Sequence, residues 1–151
     1  GTSLGLTTAY LSNANKKASI TTIEGDPIIY KLAHANFKKL GLKNIKIINS
    51  SFDETLPKLL KNKFDLIFFD GNHSKEATLK YFNWSLEYLN DEIIFVFDDI
   101  YWSKGMKSAW YEISKSPSVK LSLDLFSLGI IFFKNNREKE HINLIHPCNF
   151  Y

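Results

Sequence analysis

Short apolar runs alternate along the chain with longer segments in which apolar residues recur every three or four positions. The first pattern is typical of buried β-strands, and the second of amphipathic helices. The predicted strands are 19–23, 45–48, 64–69 and 93–97, and each is apolar on both faces. Strands that alternate with helices form βαβ units, so the pattern predicts an α/β fold whose parallel sheet has these strands at its centre.

Boundary signals predict three of the helices. Asp26 and Pro27 can cap and begin a helix that ends before Gly41. Two further helices are predicted over 74–89 and 103–114, and Ser74 can serve as the N-cap of the first.

The last two apolar runs, 119–125 and 128–133, are separated by a very short connection. Strands joined so tightly pair antiparallel, so we predict a doubly wound, mostly parallel sheet with a C-terminal antiparallel hairpin. The stretch 1–5 is typical of the loop after a first strand, yet no such strand precedes it. We therefore expect residues 1–151 to form a single domain without its first, central strand, and the natural protein to be longer at the N-terminus.

Composition indicates a folded domain, since 44% of the 151 residues are hydrophobic and 23% are charged. The net charge is only +3 and Arg137 is the single arginine, so we expect no nucleic-acid partner. Cys148 is the single cysteine, which excludes an intramolecular disulfide and favours a cytoplasmic location. The longest apolar runs are far shorter than the roughly 20 residues that span a bilayer, so we expect no membrane partner.

A glycine-containing stretch at the N-terminus leads into an apolar helical segment. It reads Gly1-Thr2-Ser3-Leu4-Gly5-Leu6-Thr7, and small residues in such a loop let the backbone approach a ligand closely. The stretch is neither G-x-G-x-x-G nor a P-loop, so a plain turn into a helix is the alternative interpretation.

Glu24 directly follows the strand predicted over 19–23. A carboxylate at this place, roughly 20 residues beyond a glycine-rich loop, can accept both hydroxyls of a ribose. The alternative is a solvated carboxylate close to the next helix, for which Asp26 already supplies the cap.

Two further predicted strands end in carboxylates: Asp70 follows 64–69, and Asp98 and Asp99 follow 93–97. Three carboxylates at neighbouring strand ends repel one another unless a cation or a proton relieves them, and Mg²⁺ prefers oxygen ligands. The pattern predicts a metal site, and helix capping by Asp70 or Asp99 is the alternative.

His73 lies three residues beyond Asp70, on the loop that faces the same strand ends. An imidazole is a suitable base near neutral pH, so His73 is the candidate catalytic base, with a structural role as the alternative. The remaining histidines lie elsewhere and are interpreted as structural or solvent-facing: His34, His141 and His146. Four residues after the Asp pair can line an apolar pocket or fill the core: Tyr101, Trp102, Met106 and Trp110.

Together these motifs resemble those of class I S-adenosylmethionine-dependent methyltransferases. The similarity is greatest to the small O-methyltransferases of the catechol and caffeoyl-CoA type and their bacterial relatives, and it covers nearly the whole chain. The loop motif of that family, G-x-x-x-G-x-[ST], is matched by Gly1, Gly5 and Thr7. The resemblance implies a Rossmann-like fold and transfer of a methyl group from S-adenosylmethionine to a hydroxyl of a small-molecule acceptor.

The resemblance also implies roles for individual residues. The cofactor would contact Gly1, Thr2, Ser3, Gly5, Thr7, Glu24, Gly25, Ser51, Phe52 and Asp70, with its ribose at Glu24 and its adenine at Ser51 and Phe52. Asp70, Asp98 and Asp99 match the metal ligands of the cation-dependent members, and Mg²⁺ would assist the reaction. Asp70 and His73 would be catalytic, although His73 stands where some members carry a lysine. A homodimer is left open.

Two other functions are compatible with the same pattern. A non-catalytic Rossmann-like binding module would keep the fold without the chemistry. An NAD-dependent oxidoreductase would also use a glycine-rich loop and an acid after the second strand, but it normally shows G-x-G-x-x-G and needs no carboxylates at two further strand ends.

Overall fold

The computed structural model describes residues 1–90, 92–134 and 138–144. Arg137, His146 and Cys148 therefore lie outside the described residues. The helices are α1 (Leu6–Ala14), α2 (Pro27–Lys39), α3 (Phe52–Leu59), α4 (Lys75–Leu86) and α5 (Lys104–Lys115). The strands are β1 (Ile20–Glu24), β2 (Ile45–Asn49), β3 (Leu66–Phe69), β4 (Ile94–Asp98), β5 (Leu121–Asp124), β6 (Leu128–Phe132) and β7 (Glu140–Asn143).

The chain divides into two compact units, an N-terminal unit (Gly1–Leu59) and a C-terminal unit (Leu60–Tyr151). In the N-terminal unit, β1 and β2 pair in parallel from Ile20 opposite Ile45 to Glu24 opposite Asn49. The two strands therefore end at the same edge. The core of this unit forms where Ala9 of α1 packs with Ala33 and Phe37 of α2, and against the apolar side chains Leu42, Ile45 and Ile47.

The C-terminal unit holds a five-stranded sheet of order β3-β4-β6-β5-β7. β3 and β4 are parallel, and β6 runs antiparallel to both β4 and β5. Its core is largely aromatic, and Phe95 and Phe97 of β4 pack against residues that include Phe82 of α4 and Trp110 of α5. Such rings bury large apolar areas and stabilise the sheet against both helices.

The predicted helix caps are confirmed. Oδ1 of Asp26 accepts the backbone N–H groups of Ile28 and Ile29 at 2.7 and 3.0 Å. The Ser74 hydroxyl caps α4, 3.3 Å from the backbone nitrogen of Ala77. Ser103, which was not predicted as a cap, caps α5 in the same way, 3.1 Å from the backbone nitrogen of Met106. These local hydrogen bonds satisfy donors that the first helical turn leaves without partners.

The α/β class, with parallel strands followed by an antiparallel hairpin, is confirmed. The prediction that all four apolar strands are central is wrong, because β1, β2 and β3 each have a single hydrogen-bonded neighbour in the part of the chain described. Apolar residues on both faces show that helices cover a strand, not that other strands flank it. The single-domain organisation and the longer N-terminus stay predictions. No helix in the described ranges is long and apolar enough to cross a membrane.

Candidate functional site

The glycine-containing loop of the N-terminal unit is attached to the end of β1. The backbone N–H of Thr2 donates to the carbonyl of Ile23 at 3.0 Å, and the hydroxyl oxygens of Thr2 and Thr22 lie 2.8 Å apart. The loop then turns into α1, whose first turn carries the exposed Thr7. Free N–H groups at a helix start favour bound anions and polar ligands, so the predicted loop lies where a ligand can use them.

Gly5 is required by the shape of this loop. Its φ of +89° is in the left-handed region, and a Cβ at this position would lie 2.6 Å from Cζ of Phe37. The loop can therefore lie against the ring of Phe37, in α2, only because Gly5 has no side chain.

We expect Gly5→Ala to destabilise the N-terminal unit by at least about 1 kcal/mol and to weaken cofactor binding, because the loop must move away from Phe37. Gly41→Ala is the matched control, since Gly41 also has a positive φ (+66°) but no atom within 4 Å of the added Cβ. Thermal unfolding and calorimetric titration with S-adenosylhomocysteine would measure both effects. Equal losses of affinity in the two variants would contradict a special role for Gly5.

Glu24 joins the loop to the start of α2. One carboxylate oxygen accepts the backbone N–H of Ser3 at 2.8 Å, and the other accepts that of Asp26 at 3.0 Å. Each oxygen keeps a further acceptor position, and the side chain is only half-buried. The predicted ribose acceptor is thus held in place by two backbone donors and stays accessible.

The sequence reasoning missed Asn49, at the end of β2. Its side-chain amide donates to the carbonyls of Glu24 and Gly25 at 2.7 and 3.2 Å, and the N–H of Ser50 donates to the Glu24 carbonyl at 3.0 Å. The sequence offered one signal for it, namely a polar residue at the end of an apolar strand. Asn49 therefore ties β2 to the segment that carries Glu24.

Ser51 and Phe52 lie at the start of α3, immediately beyond this contact. The Ser51 hydroxyl accepts the N–H of Glu54 at 3.3 Å, so it caps the helix. The structure thus brings the loop, Glu24 and the start of α3 to the edge where β1 and β2 end.

In the C-terminal unit, the predicted carboxylates meet at one edge of the sheet. Phe69 of β3 is paired in register with Phe97 of β4, so Asp70 and Asp98 follow at the same level. Asp99 has a φ of +55°, and its N–H donates to Oδ1 of Asp98 at 2.9 Å. Parallel pairing therefore gathers the acids as the sequence indicated.

The imidazole of His73 faces two of these acids. Its Nε2 lies 3.6 Å from Oδ1 of Asp70 and 3.8 Å from Oδ2 of Asp99, and all three side chains are half-buried. The arrangement places one ring nitrogen of His73 next to two carboxylates, where an imidazole can serve as a base.

Burial raises the pKa of Asp98 above its ordinary value of 3.8, and the hydrogen bond from Asp99 partly opposes this. The negative charges of Asp70 and Asp99 raise the pKa further, whereas His73 lowers it. The ionised form of Asp98 is therefore costly in the fold.

We expect Asp98→Asn to raise the free energy of unfolding at pH 7 by on the order of 0.5 to 1 kcal/mol. A raised pKa means that protonated Asp98 favours the folded state at low pH, and this contribution is lost as the pH rises through the folded-state pKa. The gain from asparagine should therefore be present at pH 7 and vanish below about pH 4. Urea unfolding at both pH values would measure it, and an equal gain at both would contradict the electrostatic cause.

The predicted metal ligands do not form a recognisable metal centre. Within the described ranges, no group of three or more His, Cys, Asp or Glu residues is arranged to hold an ion. Asp70 and Asp99 instead face the imidazole of His73. The metal-binding role of Asp70, Asp98 and Asp99 stays a prediction.

The three aromatic residues and the methionine after the Asp pair divide into two groups. Met106 and Trp110 are buried in the core, whereas Tyr101 and Trp102 are exposed. Tyr101 donates its hydroxyl to Oδ2 of Asp124 at 2.6 Å, and this bond raises the pKa of Tyr101 to about 12. A substrate-facing position is thus open to Tyr101 and Trp102 but not to the other two.

The histidines interpreted as structural have other partners. His34 stacks on Tyr30 with ring centroids 6.1 Å apart, and Nδ1 of His141 lies 2.6 Å from the Ser122 hydroxyl. Neither contact involves the acidic edge of the C-terminal unit.

Comparisons with solved structures support the fold. The chain is 23% identical to the methyltransferase PaMTH1 of Podospora anserina bound to S-adenosylhomocysteine, with a TM-score of 0.75 over 89% of this chain and 70% of that one. An O-methyltransferase of Bacillus cereus in complex with S-adenosylhomocysteine is 18% identical, with a TM-score of 0.71 over 87% and 71% of the two chains. A protein of Clostridium thermocellum proposed to be an rRNA methylase is 14% identical, with a TM-score of 0.69 over 87% and 84%.

Sequence comparison assigns the family. No match is found among curated protein sequences. The methyltransferase domain family matches residues 1–100, which is more than half of the chain and includes the loop, Glu24, His73 and the Asp pair. The chain therefore belongs to the methyltransferase domain family.

Proposed function

We propose that this protein transfers a methyl group from S-adenosylmethionine to a hydroxyl of a small-molecule acceptor. The observation that carries the proposal is the placement of His73 against Asp70 and Asp99 at the carboxyl edge of the β3–β4 pair. Within a methyltransferase domain, a base of this kind suits an acceptor that must lose a proton, such as a hydroxyl.

The N-terminal unit supplies groups that fit the cofactor. Gly5 lets the loop lie against the ring of Phe37 at the start of α1, and Glu24 offers acceptor oxygens for a ribose. Ser51 and Phe52 would contact the adenine, and the residues of the loop would contact the methionine part. The solved structures with bound S-adenosylhomocysteine support this choice of cofactor.

S-Adenosylmethionine, when bound, supplies an electrophilic methyl group on a sulfonium sulfur. The acceptor oxygen forms a bond to the methyl carbon, and the electron pair of the broken C–S bond stays on sulfur as a thioether. The hydroxyl proton goes to Nε2 of His73, and Asp70 and Asp99 stabilise the imidazolium. Alignment of the reacting groups contributes the larger part of the acceleration.

Assistance by Mg²⁺ stays a prediction, and no step above depends on it. If a cation takes part, Asp70, Asp98 and Asp99 at the ends of β3 and β4 are the residues that would hold it.

The proposal is tested by titrating S-adenosylhomocysteine into the chain and then measuring methyl transfer from S-adenosylmethionine to catechol, with Mg²⁺ and with EDTA. Binding followed by transfer that persists in EDTA is the expected result. Transfer that stops in EDTA would support the metal-assisted form of the reaction.

Three results would overturn the proposal. Failure of the folded chain to bind S-adenosylhomocysteine would favour a non-catalytic binding module, and binding of NAD instead would favour an oxidoreductase. Methylation of an RNA oligonucleotide but of no small hydroxyl compound would assign a different class of acceptor. The RNA assay is included because one of the similar structures is a proposed rRNA methylase.

A further inference from the structure

Asp124, at the end of β5, is a buried carboxylate that the proposed reaction does not use. It is only 6% exposed, yet it accepts three hydrogen bonds. Oδ2 accepts from the Tyr101 hydroxyl at 2.6 Å and from Nε1 of Trp110 at 3.0 Å, and Oδ1 accepts from the backbone N–H of Phe126 at 3.0 Å. Burial of a charge is costly unless donors of this kind surround it.

The three donors come from three different parts of the C-terminal unit. Trp110 belongs to the core face of α5, Phe126 to the β5–β6 connection, and Tyr101 to the loop after β4. Tyr101 is 40% exposed, so its hydroxyl had water as an alternative partner. The hydrogen bond from the exposed Tyr101 to the buried Asp124 is therefore not needed for packing of the core.

Tyr101 belongs to the loop after β4, and this loop begins at Asp99, one of the carboxylates that face His73. Asp99 adopts a left-handed φ of +55°, and its carbonyl accepts the N–H of Trp102 at 2.9 Å. The N–H of Ile100 donates to the Ser127 carbonyl at 3.2 Å. A left-handed aspartate persists only where its surroundings hold it, and here the two residues after Asp99, Ile100 and Tyr101, anchor the turn.

We propose that Asp124 is a positioning residue that acts through the Tyr101 hydroxyl to keep Asp99 facing His73. The consequence for catalysis depends on the function proposed above, whereas the positioning itself does not. Without the Asp124–Tyr101 bond, the turn at Asp99 loses one anchor and the carboxylate no longer stays within reach of the imidazolium.

A matched pair of variants separates positioning from stability. Tyr101→Phe keeps the ring and removes the bond to Asp124, whereas Trp110→Phe keeps an aromatic ring in the core and removes a different bond to the same carboxylate. We expect Tyr101→Phe to lower kcat about three- to tenfold at unchanged affinity for S-adenosylhomocysteine. Trp110→Phe should lower the Tm and leave kcat unchanged.

Two further measurements complete the test. In Asp124→Asn the side-chain NH₂ group can donate to the Tyr101 hydroxyl oxygen, which can accept a hydrogen bond. The asparagine side chain, however, has one acceptor oxygen fewer than aspartate. This conservative variant should therefore keep kcat near that of the wild type while losing Tm. Hydrogen exchange of the amides in 99–102 should be faster in Tyr101→Phe and unchanged in Trp110→Phe.

Unchanged exchange in Tyr101→Phe would overturn the proposal. The proposal would also be overturned if kcat fell together with Tm in all three variants. That result is expected when the carboxylate of Asp124 has only a structural role. If the wild-type chain transfers no methyl group, the proposed function fails, and the exchange measurement still decides whether Asp124 positions the loop.

Discussion

Replacement of His73 by glutamine is expected to lower the kcat of methyl transfer by about 10²- to 10³-fold. Glutamine can still form hydrogen bonds with Asp70 or Asp99, but it cannot accept a proton from the acceptor hydroxyl. The affinity for S-adenosylhomocysteine should not change, since His73 acts on the acceptor and not on the cofactor. Initial rates with catechol and calorimetric titration would measure the two effects.

His34→Gln is the control for this experiment, because His34 is an exposed residue of α2 that stacks on Tyr30. It should retain wild-type kcat. If His73→Gln also retained kcat at a normal Tm, the base would have to be another group, and the assignment of His73 would be wrong.

Replacement of Glu24 by glutamine should weaken binding of S-adenosylhomocysteine by about 10- to 100-fold, since hydrogen bonds to charged groups contribute roughly 1.5 to 3 kcal/mol. One side-chain oxygen is lost as an acceptor, and the new amide group faces the N–H of Ser3 or of Asp26. The kcat at saturating S-adenosylmethionine should change little. Titration calorimetry and rate measurements at high cofactor concentration would distinguish the two parameters.

Glu87→Gln removes the same charge from an exposed position at the end of α4 and serves as the control. It should leave cofactor affinity unchanged. A comparable loss of affinity in Glu87→Gln would indicate a general charge effect. A large fall in the Tm of Glu24→Gln would instead indicate that the loop itself had become disordered.

Some residues of the site could be identified from the sequence, whereas others could be identified only from the fold. The candidate base and the ribose acceptor came from sequence, because Glu24 directly follows an apolar run, His73 lies on the loop after another, and parallel strands end at a common edge. Asn49 and Asp124 did not come from sequence. Their importance depends on partners that are far away along the chain, such as the Gly25 carbonyl for Asn49 and the Tyr101 hydroxyl for Asp124.

The elements missed in the sequence were those with weak local signals. β7 (Glu140–Asn143) is exposed along its whole length, so no apolar alternation marks it, and it is a strand only because β5 offers a free edge. α3 contains Pro57, which is disfavoured inside helices. In both cases tertiary pairing or packing outweighs intrinsic propensity.

By itself the sequence determined the α/β class, the helix caps at Asp26 and Ser74, and the grouping of acids at strand ends. Each of these follows from interactions within a few residues or from the common direction of parallel strands. Only the tertiary structure decided that the strands form two sheets and that His73 faces both Asp70 and Asp99 rather than a recognisable metal centre. Those features depend on distances between side chains remote in sequence, which hydrophobic periodicity does not encode.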